Sequence, residues 1–73
     1  MTAESVVREA IIEQLCDSAF DDDSTFDDLG ADSLDLVEIL NIIEDKTGKI
    51  IDEKDLGNIE TVGDMVRLLG KYL

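Results

Sequence analysis

The stretch "DDLGADSLDLVEIL", Asp27 to Leu40, sets Ser33 between Asp32 and Asp35 where a loop turns into an amphipathic helix. A hydroxyl placed there can be a nucleophile, a helix cap or a point of attachment. As a nucleophile it needs a base to take its proton, because an unassisted hydroxyl reacts poorly near neutral pH. The chain has His 0, the neighbouring aspartates are too acidic for that task unless strongly buried, and the acidic surroundings offer no cationic oxyanion hole. As an N-cap, serine is among the preferred residues and contributes about 1 kcal/mol. Capping alone leaves two features unexplained: the apolar strip of Leu34 and Val37 beside the serine, and the acids on both of its sides. As an attachment point, a hydroxyl exposed at a helix start can accept a phosphodiester near the positive end of the helix dipole and its free backbone N–H groups. The carboxylates would then address a modifying enzyme rather than hold the phosphate.

Amphipathic segments must position that serine. From Ala3 to Cys16, Val7, Ile11 and Leu15 recur at four-residue spacing, with Ala10 and Ile12 widening the stripe and Thr2 and Ser5 as candidate N-caps. "DSAFDDDSTFDDLGA", Asp17 to Ala31, has no helical stripe and reads as a long loop pinned to the core by Phe20, Phe26 and Leu29. Loops of this length are uncommon in compact domains unless they carry function or partner contacts. The second helix starts at Asp32 or Ser33 and runs to about Lys46, with Leu36, Ile39, Leu40 and Ile43 on one face. Leu34, Val37 and Asn41 form a second strip facing less deeply. Thr47 and Gly48 end this helix, Gly48 suiting the left-handed position and Lys46 and Lys49 complementing the dipole. Ile50 and Ile51 form an extended connector, and Asp52 to Gly57 a single short helical turn stopped by Gly57 and Asn58. A last helix runs from Thr61 or Val62 to Tyr72, capped by Thr61 and faced by Val62, Met65, Val66, Leu69 and Tyr72. No segment shows sustained apolar and polar alternation, so strands are not expected. The expected fold is all-α: a small four-helix bundle of three longer helices and a short one, with a long loop between the first and second helices. Residues 1–73 read as one domain.

Composition limits what such a bundle can do. A chain of 73 residues buries only roughly 60% of the surface its unfolded form exposes, so a deep catalytic cleft is hard to house. Its 44% hydrophobic content suffices for a small core. A formal net charge of -13 argues strongly against nucleic-acid binding and for partners with basic patches. No Lys or Arg lies between Arg8 and Lys46, so the negative charge is densest around Ser33. Self-repulsion of this kind lowers stability at low ionic strength and is relieved by salt or divalent cations. The single Cys16 rules out an intramolecular disulfide, and without histidine there is no Cys-His zinc site. A reducing compartment fits, with Cys16 a partly buried filler at the end of the first helix. The N-terminal stretch, broken by Glu4, Arg8, Glu9 and Glu13, reads as neither a signal peptide nor a membrane span. The expectation is a cytoplasmic monomer without membrane insertion. A calcium loop starting at Asp21 would set Phe26 where glycine is needed and Asp32 where a bidentate glutamate is needed. No specific metal site is therefore expected, only weak screening of the acidic loop by divalent ions.

"DDLGADSLDLVEIL" closely resembles the motif of the acyl carrier proteins, the D-S-L at which that family receives 4′-phosphopantetheine. The resemblance extends along the chain through "IIEQL", "LGADSLD", "IIDEKDL" and "IETVGDMVRLL". It implies that Ser33 carries the prosthetic group, donated by coenzyme A, through a phosphodiester, and that the arm's thiol holds acyl groups as thioesters. It implies that the protein itself catalyses nothing. Asp32, Asp35 and Glu38 match the acidic positions that such carriers present to a phosphopantetheinyl transferase and to acyl transferases, synthases and reductases with basic docking patches. Leu34 and Val37 would supply the apolar contact within that charged ring. The family's acyl chain can withdraw between the helices, which makes Ile39, Ile43, Ile50, Ile51, Leu56 and Met65 pocket candidates; each is equally explained as core. Thr47 and Asp52 stand where many fatty-acid carriers have an aromatic residue and a proline, and Asn41 where they often have a larger apolar residue. Attachment at Ser33 is untouched by these departures. Fatty-acyl cargo is expected from "LGADSLD", with a specialised carrier for a polyketide, amino-acyl or lipid-modification pathway as the alternative. An acidic interaction bundle without a prosthetic group is the distant rival.

Overall fold

The computed structural model describes residues 2–73. Its elements are α1 (Ala3–Leu15), α2 (Ser33–Thr47), a 3₁₀ segment (Glu53–Asn58) and α3 (Val62–Gly70). Each α-helix opens on a reciprocal cap. Thr2 with Ser5, Asp32 with Asp35, and Thr61 with Asp64 exchange side-chain and backbone hydrogen bonds, which satisfies amides that have no acceptor within the helix.

The helix ends differ from expectation by a residue or two, and each difference has a local cause. α1 stops at Leu15 because Cys16 is its C-cap, left-handed at φ 56, with its N–H on the Ile12 carbonyl. Cys16 is exposed, so the partly buried filler expected from sequence is corrected: a residue turned left-handed to end a helix points off the core. α2 gains Thr47, whose hydroxyl donates to the Ile43 carbonyl at 2.8 Å, and closes on Gly48 at φ 71. The short turn is 3₁₀ and reaches Asn58, while α3 ends at Gly70 and leaves Tyr72 beyond it. The Tyr72 hydroxyl donates to Asp55 Oδ2 at 3.3 Å, tying the last turn to the 3₁₀ segment.

A left-handed, non-glycine cap carries conformational strain that glycine lacks. Cys16→Gly is therefore expected to raise stability by about 0.5–1 kcal/mol, net of the entropy glycine adds to the unfolded chain. Urea unfolding under reducing conditions checks it.

α2 and α3 both pack on α1. Hence Val6, Val7, Ala10 and Ile11 are all buried, where the sequence pattern pointed to Val7, Ile11 and Leu15. Ile12 falls outside that widened stripe and is exposed. Ile39, Leu40 and Ile43 from α2 and Val62, Met65, Leu68 and Leu69 from α3 complete the core with Phe26, Ala31 and Ile51.

The long loop is stapled to the start of α3. Val62 N–H donates to the Ser24 carbonyl at 2.9 Å, Gly63 N–H to that of Asp22 at 2.8 Å, and Phe26 N–H to that of Glu60 at 3.0 Å. Thr25 and Thr61 form an isolated antiparallel bridge between the same segments. Glycine at 63 permits this approach, since a Cβ there would lie 3.0 Å from the Asp22 carbonyl oxygen. Arg8 holds the loop's other end, 4.5 Å over the Phe20 ring and donating to the Phe20 carbonyl at 3.3 Å.

Asp64 shows what the α3 cap does to a carboxylate. Backbone N–H groups of Thr61 and then Glu60, each at 3.0 Å, lower its pKa from 3.8 to about 2, with partial burial opposing and Arg67 and the Thr61 hydroxyl adding. A depressed folded-state value means that the cap stabilises fully above the unfolded value near 3.8 and loses its contribution as pH falls toward about 2. Carboxyl ¹³C shifts should show Asp64 titrating near 2, well below the ordinary aspartate value of 3.8.

Candidate functional site

Ser33 is placed by the turn that precedes it. Gly30 N–H donates to the Asp27 carbonyl at 3.0 Å and Ala31 N–H to that of Phe26 at 2.9 Å, so the chain reverses at Gly30, which is left-handed at φ 77. Phe26 and Ala31 are buried, and this anchors both sides of the turn. Asp32 follows as the N-cap of α2. Its Oδ1 accepts from Asp35 N–H at 2.9 Å, and Asp35 Oδ2 accepts from Asp32 N–H at 3.2 Å. The cap is therefore built without Ser33, which becomes the first residue of the helix. Its side chain is exposed and its hydroxyl makes no hydrogen bond among the described residues.

The N–H groups of Ser33 and Leu34 also lack acceptors among the described residues, as the first helical amides must when the cap side chain serves Asp35 instead. An exposed hydroxyl thus stands beside open donors at the positive end of a helix of 15 residues.

The expected recognition residues gather around it. Leu34 is 75% exposed, Asp32 and Glu38 are exposed, and Val37 is half-buried on the outward strip. Asp35 is more engaged: besides the cap, its Oδ1 accepts from Gln14 Nε2 at 3.1 Å, fixing α2 against the end of α1.

Ser33 also opens onto a groove of about 570 Å³. Phe26, Ala31, Leu36 and Ile59 give it apolar surface, and Thr25, Asp27, Asp32 and Glu60 give it polar surface. Thr25, Ile59 and Glu60 had no place in the sequence-derived site. They reach it only because the loop is stapled to the segment before α3, a contact between distant parts of the chain. The motif offers no local sign of it.

The pocket candidates fare differently. Ile39, Ile43, Ile51 and Met65 are tightly packed core, and Leu56 is half-buried against it. Ile50 is 81% exposed and is removed from the set: Ile51 turns inward, its N–H donating to Glu44 Oε2 at 2.9 Å, so its neighbour in extended chain points out. None of these six residues lines the groove beside Ser33.

These residues suit a covalently held phosphodiester arm: an unbonded hydroxyl, open amides for the phosphate, and a mixed groove that starts at the Ser33 side chain. No group of His, Cys, Asp or Glu side chains among the described residues is placed to hold a metal ion. No described helix is long and apolar enough to cross a membrane.

Among known proteins, no solved structure matches the chain. A family model described as "Phosphopantetheine attachment site" matches residues 5–69, which takes in all of α2 with Ser33 and all but the outermost residues of α1 and α3. The chain belongs to that family of carrier domains, on which 4′-phosphopantetheine is attached covalently.

Proposed function

We propose that Ser33 is the attachment residue and that the chain works as an acyl carrier in the cytoplasm, a monomer that catalyses nothing itself. The observation that carries this reading is the division of labour at the start of α2: Asp32 and Asp35 make the cap, and the serine hydroxyl is left exposed and unbonded. When bound, the prosthetic group supplies a terminal thiol on which acyl groups ride as thioesters. The chain's own residues orient and present it. Asp32 and Glu38 offer charge to basic patches on a phosphopantetheinyl transferase and on acyl transferases, synthases and reductases, and Leu34 and Val37 supply the apolar contact between them.

The "LGADSLD" context supports fatty-acyl or related acyl cargo. One observation favours a specialised pathway within that class: Asn41 is exposed on the outward strip of α2, where it puts an amide into the surface that partners would read. Intact mass before and after incubation with coenzyme A and a broadly acting phosphopantetheinyl transferase tests the carrier role. A gain of one phosphopantetheine supports it. No gain with a transferase shown to be active on another carrier would overturn it.

A further inference from the structure

Among the described residues two side-chain bonds join α1 to α2, and they come from consecutive residues near the end of α1. Glu13 pairs with Lys46 at 3.6 Å in the last turn of α2, and Gln14 Nε2 donates to Asp35 Oδ1 at 3.1 Å in its first turn. Glu13 is exposed, and ion pairs of that kind contribute little. Gln14 and Asp35 are both half-buried, and their bond lies beside Ser33.

The Gln14 bond reaches the serine through the cap. Asp35 Oδ2 accepts from the N–H of Asp32, the residue before Ser33, and Asp32 Oδ1 accepts from the N–H of Asp35. Ser33 therefore sits inside a ring closed by two hydrogen bonds, and Gln14 ties that ring to α1. Without the tie, the Asp35 side chain keeps only its bond to Asp32, which lies within the ring itself. The residue type matters as well. An amide donates to a carboxylate without neutralising it, so Asp35 keeps its charge in the field that draws a basic partner while each of its oxygens holds a fixed donor. A lysine or arginine in that place would cancel the charge.

We infer that Gln14 is a positioning residue for the transfer of phosphopantetheine onto Ser33, acting through Asp35. The inference rests on Ser33 being the attachment residue. Transfer forms a bond from the Ser33 oxygen to phosphorus, breaks the pyrophosphate bond of coenzyme A, releases adenosine 3′,5′-bisphosphate and gives the hydroxyl proton to a base on the transferase. Such a displacement depends on where the attacking oxygen stands, and small misplacements are costly in rate. Docking and placement are thus divided: the free carboxylates of Asp32 and Glu38 attract the enzyme, and Gln14 with Asp35 holds the hydroxyl for it.

The test is the kinetics of a broadly acting phosphopantetheinyl transferase with the apo chain as the varied substrate, single-turnover rates isolating the transfer step. Gln14→Met keeps the length of the side chain and removes the donor. It is expected to lower kcat and the single-turnover rate about threefold to tenfold with KM unchanged, helical content by circular dichroism staying at the wild-type level. In an Asp35→Ala background the same substitution is expected to cost nothing further. Glu13→Ala, which breaks the other bond between the same two helices, leaves both constants as they were. A wild-type kcat in Gln14→Met would overturn the inference. So would an equal loss in Glu13→Ala, which makes the effect general loosening, and so would a change confined to KM, which makes Gln14 a docking contact. An undiminished effect in the Asp35→Ala background would show that Gln14 does not act through Asp35. A wild-type chain that takes up no group fails the carrier reading itself, and the positioning role falls with it; a modified wild type beside an unimpaired Gln14→Met sinks the positioning role alone.

Discussion

Ser33→Ala is expected to accept no phosphopantetheine at all, and to unfold at the same or slightly higher urea concentration than the unmodified wild-type chain. Loss of modification follows from the missing hydroxyl, since the other serines, Ser5, Ser18 and Ser24, all lie outside the D-S-L motif. Unchanged stability follows from the cap. A serine that served as N-cap would cost about 1 kcal/mol when truncated to alanine. Here Asp32 performs that role, the Ser33 hydroxyl has no partner, and alanine is the better helix former by about 0.5 kcal/mol or less. Asp32→Ala is the informative contrast, because it removes the cap and lowers stability by about 1 kcal/mol while leaving the Ser33 hydroxyl in place. Mass spectrometry reads one half of the prediction and urea titration the other. Residual modification of the alanine variant would move the attachment site elsewhere, and a loss of stability equal to that of Asp32→Ala would make Ser33 a capping residue after all.

The split between Asp32 and Ser33 marks how far the sequence could be read. "ADSLD" contains two residues able to cap, and pattern alone left the helix start between them. The capping box decided it. Asp32 with Asp35 at the third helical position makes both reciprocal bonds, and once that box forms the serine is displaced into the helix. The helices themselves were legible because their apolar spacing is local. What the spacing missed is what a second neighbour adds: α1 packs against both α2 and α3, and Val6, off the line of Val7, Ile11 and Leu15, is buried too. The cysteine ending α1 was misjudged because apolar character was read as burial, whereas a left-handed cap directs the side chain outward.

The groove was illegible for a different reason. Its rims and floor come from residues near 25 and near 60 that meet only through loop hydrogen bonds, and no periodicity encodes such a meeting. The candidates chosen instead were the largest apolar residues close to the family's expected interior. In the structure Ile39, Ile43 and Met65 belong to one buried core cluster and line no described pocket, so in this conformation they hold the fold. Admitting a chain among them would require the packed helices to part.

That packing makes Ile43→Ala the most destabilising single change expected. Ile43 is fully buried at 0% exposure, and truncating such a residue costs about 2–5 kcal/mol, the larger values where neighbours cannot close the gap. Here they are fixed: Ile43's own carbonyl holds the Thr47 hydroxyl that ends α2, and Leu40 and Ile39 are locked in the same core. A domain of 73 residues has stability near the lower end of roughly 5–15 kcal/mol, so the loss is comparable with the whole. Charge sharpens the effect. Against 19 acidic side chains the described residues form ion pairs only at Glu13–Lys46 and Asp64–Arg67, which leaves the rest to repel one another in the compact state. Ile43→Ala should therefore be largely unfolded at low ionic strength and regain helicity as salt shortens the screening length from about 30 Å at 0.01 M toward about 3 Å at 1 M. Circular dichroism across that series, with the exposed Leu34→Ala as a near-neutral control within about 0.5 kcal/mol, separates core loss from charge. A variant equally folded at every salt concentration would mean that the helices can collapse around a smaller side chain. The same looseness would restore these residues as a lining that parts to admit an acyl chain.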